Sequence, residues 1–151
     1  MPDTKGGAIT ITGLSHLEKR LGELPDKIAK SILSGAIRAG AVVIQNEARK
    51  LAPISVKPHM LGSRSKAALI EPGFLKKSIR VRRAPSRKAT MPVEFWVYVS
   101  GKAWYWKFVE FGTSRMSANP FMRPAFDSMK SKALERIKEY LATRIDKEVG
   151  V

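Results

Sequence analysis

"YWKFVEFGTSRMSANPFMRPAFD", residues Tyr105–Asp127, is the stretch on which the reading of the chain turns. An aromatic, nearly continuous apolar run ends at Gly112, and two prolines four apart, Pro120 and Pro124, follow. Beyond them Phe126, Met129, Ala133, Ile137, Leu141 and Ile145 recur at helical spacing. The pattern predicts a strand, a sharp corner and a helix. Gly112 supplies the positive φ at which a strand can turn away. The Thr113 and Ser114 hydroxyls are placed to bond nearby backbone. Pro124 suits the first helical position, where a missing N–H costs nothing, and it biases Arg123 towards an extended shape. Phe121 and Phe126 are then expected to wedge between helix and sheet. Glu110, flanked by bulky groups, either pairs with the Arg123 guanidinium, whose fork fits a carboxylate, or stands in solvent without a partner.

Working back from the corner, "VEFWVYVS" alternates Val93, Phe95, Val97 and Val99 with Glu94, Trp96, Tyr98 and Ser100, and "SIRVRR" alternates Ile79 and Val81 with Arg80 and Arg82. Both read as strands. Gly101 and Lys102 suit a short hairpin connection to the aromatic run. Ten of the twelve aromatic residues fall between Phe95 and Phe126, so this sheet and corner carry most of the bulky core. Residues 54–72 are rich in Pro, Ser and Lys with no clear period, and are expected to form a mobile basic loop. Before it, apolar residues recur near the 3.6 period from Asp26 to Ala52, a helix of about 40 Å closed by Pro53. Ala36, Ala39, Gly40 and Ala41 keep its middle slim, which suits a plain core contact with the sheet or some other close neighbour. Pro25 is placed to open that helix. Ser15 and Glu18 have the spacing of a capping box ahead of Leu17, Leu21 and Leu24. Ile9 and Ile11 alternate with Thr10 and Thr12 as in a short strand. The order gives one α+β domain over 1–151, with a long N-terminal helix and a C-terminal helix packed on a small antiparallel sheet.

The chain of 151 residues has no cysteine, so disulfides and thiolate metal sites are excluded. Its first residues carry no apolar signal core, and no run is expected to span a membrane. His16 and His59 lack a second ligand nearby in sequence. No glycine-rich phosphate loop, metal-ligand spacing or nucleophile–base set is present. These residues point to no enzyme, cofactor or metal.

Charge is the informative bulk property. Lys and Arg number 28 against 13 Asp and Glu, a formal net charge of +15. Such a field favours an acidic partner, whether nucleic acid, an anionic protein ring or a membrane surface, although a solvated basic face gives the same count. Arg80, Arg82, Trp96, Tyr98 and Trp104 mix basic and aromatic side chains on the expected strands, as single-strand binders do, and with Lys76, Lys77 and Arg83 they form the candidate interface. The same residues suit a sheet face covered by another subunit. No groove-reading motif accompanies them.

The corner resembles the hallmark of a family of tailed-phage tail components, the tail-completion or head–tail joining proteins of siphophages and their prophages. Tyr105, Glu110, Phe111, Gly112, Thr113, Pro120, Phe121, Arg123, Pro124 and Ala125 match that pattern in order. Leu14, Leu17 and Leu21, the alanine-rich long helix, Ala52-Pro53, and Gly73, Leu75, Ser78 and Ile79 match more loosely. Residues 54–72 depart from it, because the family moves faster from Ala-Pro to its Gly-x-Leu strand. The resemblance implies a virion protein, made in the host bacterial cytoplasm, that sits at the head–tail junction. It implies a homo-oligomeric ring, with six subunits as the candidate stoichiometry. The tail tube and the head connector are the expected partners, with DNA as a candidate contact in the lumen. A basic nucleic-acid-binding accessory protein is the alternative.

Overall fold

The computed structural model describes residues 15–62, 68–85 and 93–150. The strand expected at Ile9–Thr12 lies outside them. Helix α1, Ser15–Gly22, leads to Pro25, which caps α2, Asp26–Leu51. Ala52 leaves the helix in an extended conformation ahead of Pro53. The hairpin β1, His59–Leu61, and β2, Ala68–Ile70, follows, then α3, Phe74–Ser78, which runs directly into β3, Ile79–Arg83. Strand β4, Phe95–Val99, pairs antiparallel with β3. A 3₁₀ turn at Gly101–Ala103, helix α4 at Trp106–Phe111 and the long helix α5 at Met122–Val149 complete the chain. The fold is α+β, with the N-terminal and C-terminal helices packing on strands.

Helices α2 and α5 run antiparallel and form the backbone of the molecule. At one end Ile32 and Ala36 meet Leu141 and Ile145, and Leu17, Leu21 and Leu24 close over them. At the other end Ala48 and Ala52 meet Ala125 and Phe121, with Leu75, Ile79 and Val99 from α3 and the sheet. Between these clusters the slim middle of α2 faces α5, not the sheet. A Cβ added at Gly40 would lie 2.7 Å from Ile137 side-chain carbons and 3.0 Å from the Ala133 carbonyl, and one at Gly35 would overlap the Tyr140 ring. Small residues are thus what lets the helix axes approach. Arg20 pins α1 to α5 through Asp146 at 2.8 Å. Contrary to the sequence expectation, α2 is long and apolar enough to cross a membrane. Part of its apolar surface packs against α5 and the sheet.

Beside that packing, one carbonyl ties the sheet to α2 by hydrogen bonds. Ile79 O accepts Gln45 Nε2 at 2.8 Å and Arg49 Nη2 and Nε at 2.9 and 3.2 Å. Nothing in the sequence period marks Gln45 or Arg49 for this role.

Three elements differ from the sequence reading. The aromatic run is not a strand. An apolar run this short does not separate strand from helix by periodicity, and helical spacing wins here. Tyr105, Trp106 and Val109 turn to the core, while Trp104, Phe108 and Phe111 turn outward. The Gly101–Lys102 connection is part of the 3₁₀ turn, so no third strand follows. The sheets are two separate pairs, β1–β2 and β3–β4. Within residues 54–72, read as a loop, β1 and β2 pair His59 with Ile70 and Met60 with Leu69. Their three-residue strands are too short to show a period.

Candidate functional site

The corner motif is built around Glu110. Helix α4 points its carboxylate at the start of α5, where backbone N–H groups have no helical acceptor. Oε2 accepts the N–H of Phe121 at 2.8 Å and of Met122 at 3.0 Å, and Oε1 accepts that of Arg123 at 3.1 Å. Pro124 has no N–H to satisfy, and the Ala125 N–H reaches Phe121 O at 3.3 Å. Every donor in the first turn of α5 is therefore accounted for. The negative carboxylate also opposes the positive end of the helix dipole. Glu110 is 6% exposed.

This corrects three expectations. Glu110 meets the Arg123 backbone, not its guanidinium, because three converging N–H groups already fill both oxygens. Arg123 is helical, not extended, and Pro124 is the third helical residue, since α5 begins at Met122. Phe121 is fully buried as expected, but Phe126 is 44% exposed on the far side of the helix turn.

Gly112 does what its position predicts. Its φ is +73°, and a Cβ there would lie 2.8 Å from both Ala118 N and Met116 O. The loop it begins is tied down by reciprocal bonds between Thr113 and Met116 and by Asn119 N–H to Val109 O at 2.8 Å. Thr113 Oγ1 accepts the Arg115 N–H at 3.2 Å. Phe111 and Pro120 of the motif are exposed.

The candidate interface residues divide between two surfaces. Arg80 pairs across the sheet with Tyr98, and Arg82 with Trp96. The Arg82 guanidinium carbon sits 4.8 Å from the Tyr98 ring centre and 5.3 Å from that of Trp96, so one cation covers two aromatic faces. Strand alternation places Arg83, opposite Phe95, on the other face from Arg80 and Arg82. Lys76 and Lys77 are exposed on α3.

Trp104 is elsewhere. It packs edge-on against Phe108 at 5.8 Å and Tyr105 at 6.3 Å, beside a groove of about 590 Å³ between the β1–β2 hairpin and α4. Burial raises the Tyr105 hydroxyl above its ordinary pKa. Trp96 and Tyr98 border a second groove, of about 620 Å³, between β4, α2 and α5. The sequence placed Trp104 with them because it read one continuous sheet; the 3₁₀ turn carries it away.

Charge is segregated in the same way. The four ion pairs among the described residues, Arg20–Asp146, Lys30–Asp26, Lys50–Glu47 and Arg136–Glu139, all lie on α1, α2 and α5. From residue 51 to 121 there are thirteen Lys and Arg against Glu71, Glu94 and Glu110. Glu110 is spent on backbone N–H groups. Among the described residues no carboxylate pairs with Lys76, Lys77, Arg80, Lys102, Lys107 or Arg115. The described residues hold no cluster of His, Asp and Glu able to bind a metal.

Comparison with known proteins gives one family. Residues 15–112 match the family described as "Bacteriophage HK97-gp10, putative tail-component". No match was found among curated proteins or among solved structures. The matched span runs from α1 through α4 to Gly112, well over half of the chain, and the chain therefore belongs to this family of structural phage tail components.

Proposed function

We propose that this tail component completes the tail and joins it to the head, working as a ring of identical subunits whose basic sheet face docks an acidic neighbour. The observation that carries this reading is the basic stretch of residues 51–121, where Lys76, Lys77, Arg80, Lys102, Lys107 and Arg115 pair with no carboxylate among the described residues, while the four ion pairs lie on α1, α2 and α5. A solvated face disperses both signs; this one presents a single sign on β3 and α3, which favours a complementary partner. The partners on this reading are the tail tube or the head connector.

Binding to DNA is the competing use of the same field. Arg82 occupies the faces of Trp96 and Tyr98, so bases would have to displace it to stack there. The test is a gel-shift titration across salt beside an in vitro head–tail joining assay of Arg80→Glu/Arg82→Glu. The expected result is weak DNA binding by the wild type and lost joining by a folded variant. Tight, salt-steep duplex binding, at a log–log slope of about −0.9 per phosphate, with normal joining by the variant would overturn the assignment.

A further inference from the structure

We propose that the groove between the β1–β2 hairpin and α4 receives an acidic segment of a partner protein, anchored by an aromatic or aliphatic side chain. This deepens the docking reading above and rests on it. Nine of the eleven most exposed large apolar side chains among the described residues lie between Leu51 and Met116; the other two are Phe126 and Val149. Four of those nine, Ile54, Trp104, Phe108 and Met116, line the groove together with the half-buried Leu61 and Phe74. Trp104 is 48% and Phe108 46% exposed. Its volume, about 590 Å³, falls in the range of sites that hold a few side chains.

The neighbouring cations decide the occupant. Lys57, Lys76, Lys107 and Arg115 flank lining residues in the chain, all are exposed, and none pairs with a carboxylate among the described residues. Glu71 is the acid in the lining. An apolar lining with exposed cations next to it in the chain matches an apolar anchor between acidic residues, with the buried anchor supplying affinity and the cations supplying register and on-rate. A second copy of this chain would bring the same positive field against itself. A nucleic acid backbone would leave the apolar floor uncovered.

The test uses fluorescence anisotropy with two fluorescein-labelled peptides, EEDFLEED and its anchorless form EEDAAEED, titrated with the full chain at low and moderate salt. The anchored peptide should bind about tenfold or more tightly, as expected for one buried apolar anchor. Phe108→Ser should remove that advantage and leave the anchorless peptide unaffected. Lys107→Glu/Arg115→Glu should weaken both. Equal binding of the two peptides, no binding into the millimolar range, or an unchanged advantage in Phe108→Ser would overturn the proposal. So would self-association of the wild type that Phe108→Ser abolishes, which assigns the groove to a second copy. Failure here, with joining still lost in Arg80→Glu/Arg82→Glu, leaves the sheet-face docking standing; peptide binding as expected, with normal joining in that variant, removes the junction assignment alone.

Discussion

A buried carboxylate ordinarily brings a cation with it, because an uncompensated charge away from water is costly. Glu110 is compensated by three backbone N–H groups instead. Replacing it with Gln keeps the shape but turns one acceptor into a donor facing those N–H groups. Glu110→Gln should therefore lose about 1–3 kcal/mol, the cost of leaving buried donors unsatisfied. Arg123→Ala should stay within about 0.5 kcal/mol of the wild type, as exposed substitutions do. Urea denaturation measures both; equal losses would restore the guanidinium pairing. The sequence shows that Glu110 needs a partner, since it is the acid on a bulky apolar run. It does not show which partner, because only side chains can be read from a sequence and the donors here are main-chain. Gly112 is the opposite case. Its φ is a property of one residue type at one turn, and it was legible without coordinates.

The elements that were legible are those whose period is long. Helices α2 and α5 each repeat their apolar stripe over more than six turns, β3 alternates Ile79 and Val81 with Arg80 and Arg82, and β4 alternates Phe95, Val97 and Val99 with Trp96 and Tyr98. Helix α4 and the β1–β2 pair have six and three residues to declare themselves, too few for a period to emerge. What faced the slim middle of α2 was likewise hidden, since small residues announce a close neighbour without naming it. Helix α5 is that neighbour, and the contact gives a signed prediction. In a helix Gly→Ala normally gains about 0.5–1 kcal/mol. At Gly40 the new methyl meets Ile137 and the Ala133 carbonyl, so Gly40→Ala should instead lose about 1–3 kcal/mol by overpacking. Gly22, with nothing within 4 Å, should show the ordinary gain. Ile137→Ala introduced beside Gly40→Ala should cost less than it does alone, because the two changes share one space. Thermal melts of the four variants form the cycle. A stabilised Gly40→Ala would mean that the helices sit further apart than described.

At the scale of the whole molecule the size of the charge was legible, but its geography was not. The count of +15 is compatible with a protein whose cations are spread and paired. Among the described residues the four ion pairs lie on α1, α2 and α5, whereas Lys76, Lys77, Arg80, Lys102, Lys107 and Arg115 pair with no carboxylate. Like charges left in one region repel each other and lower the stability of the folded state. That cost is the expected mark of a surface kept for a partner. Salt should reveal it, since the Debye length shortens from about 30 Å at 0.01 M to about 8 Å at 0.15 M ionic strength. The melting temperature of the isolated chain should rise over that range by a few degrees, at about 2–4 °C per kcal/mol for a chain of this length. Lys76→Glu/Lys77→Glu should raise the melting temperature in low salt and flatten its salt dependence. Arg136→Glu, which faces Glu139 on α5 at 3.2 Å in the wild type, should do neither, because there the reversal replaces an attraction with a repulsion. A melt that falls with salt would show that attractive pairs dominate the field, and the basic face would then be spending its charge within the fold.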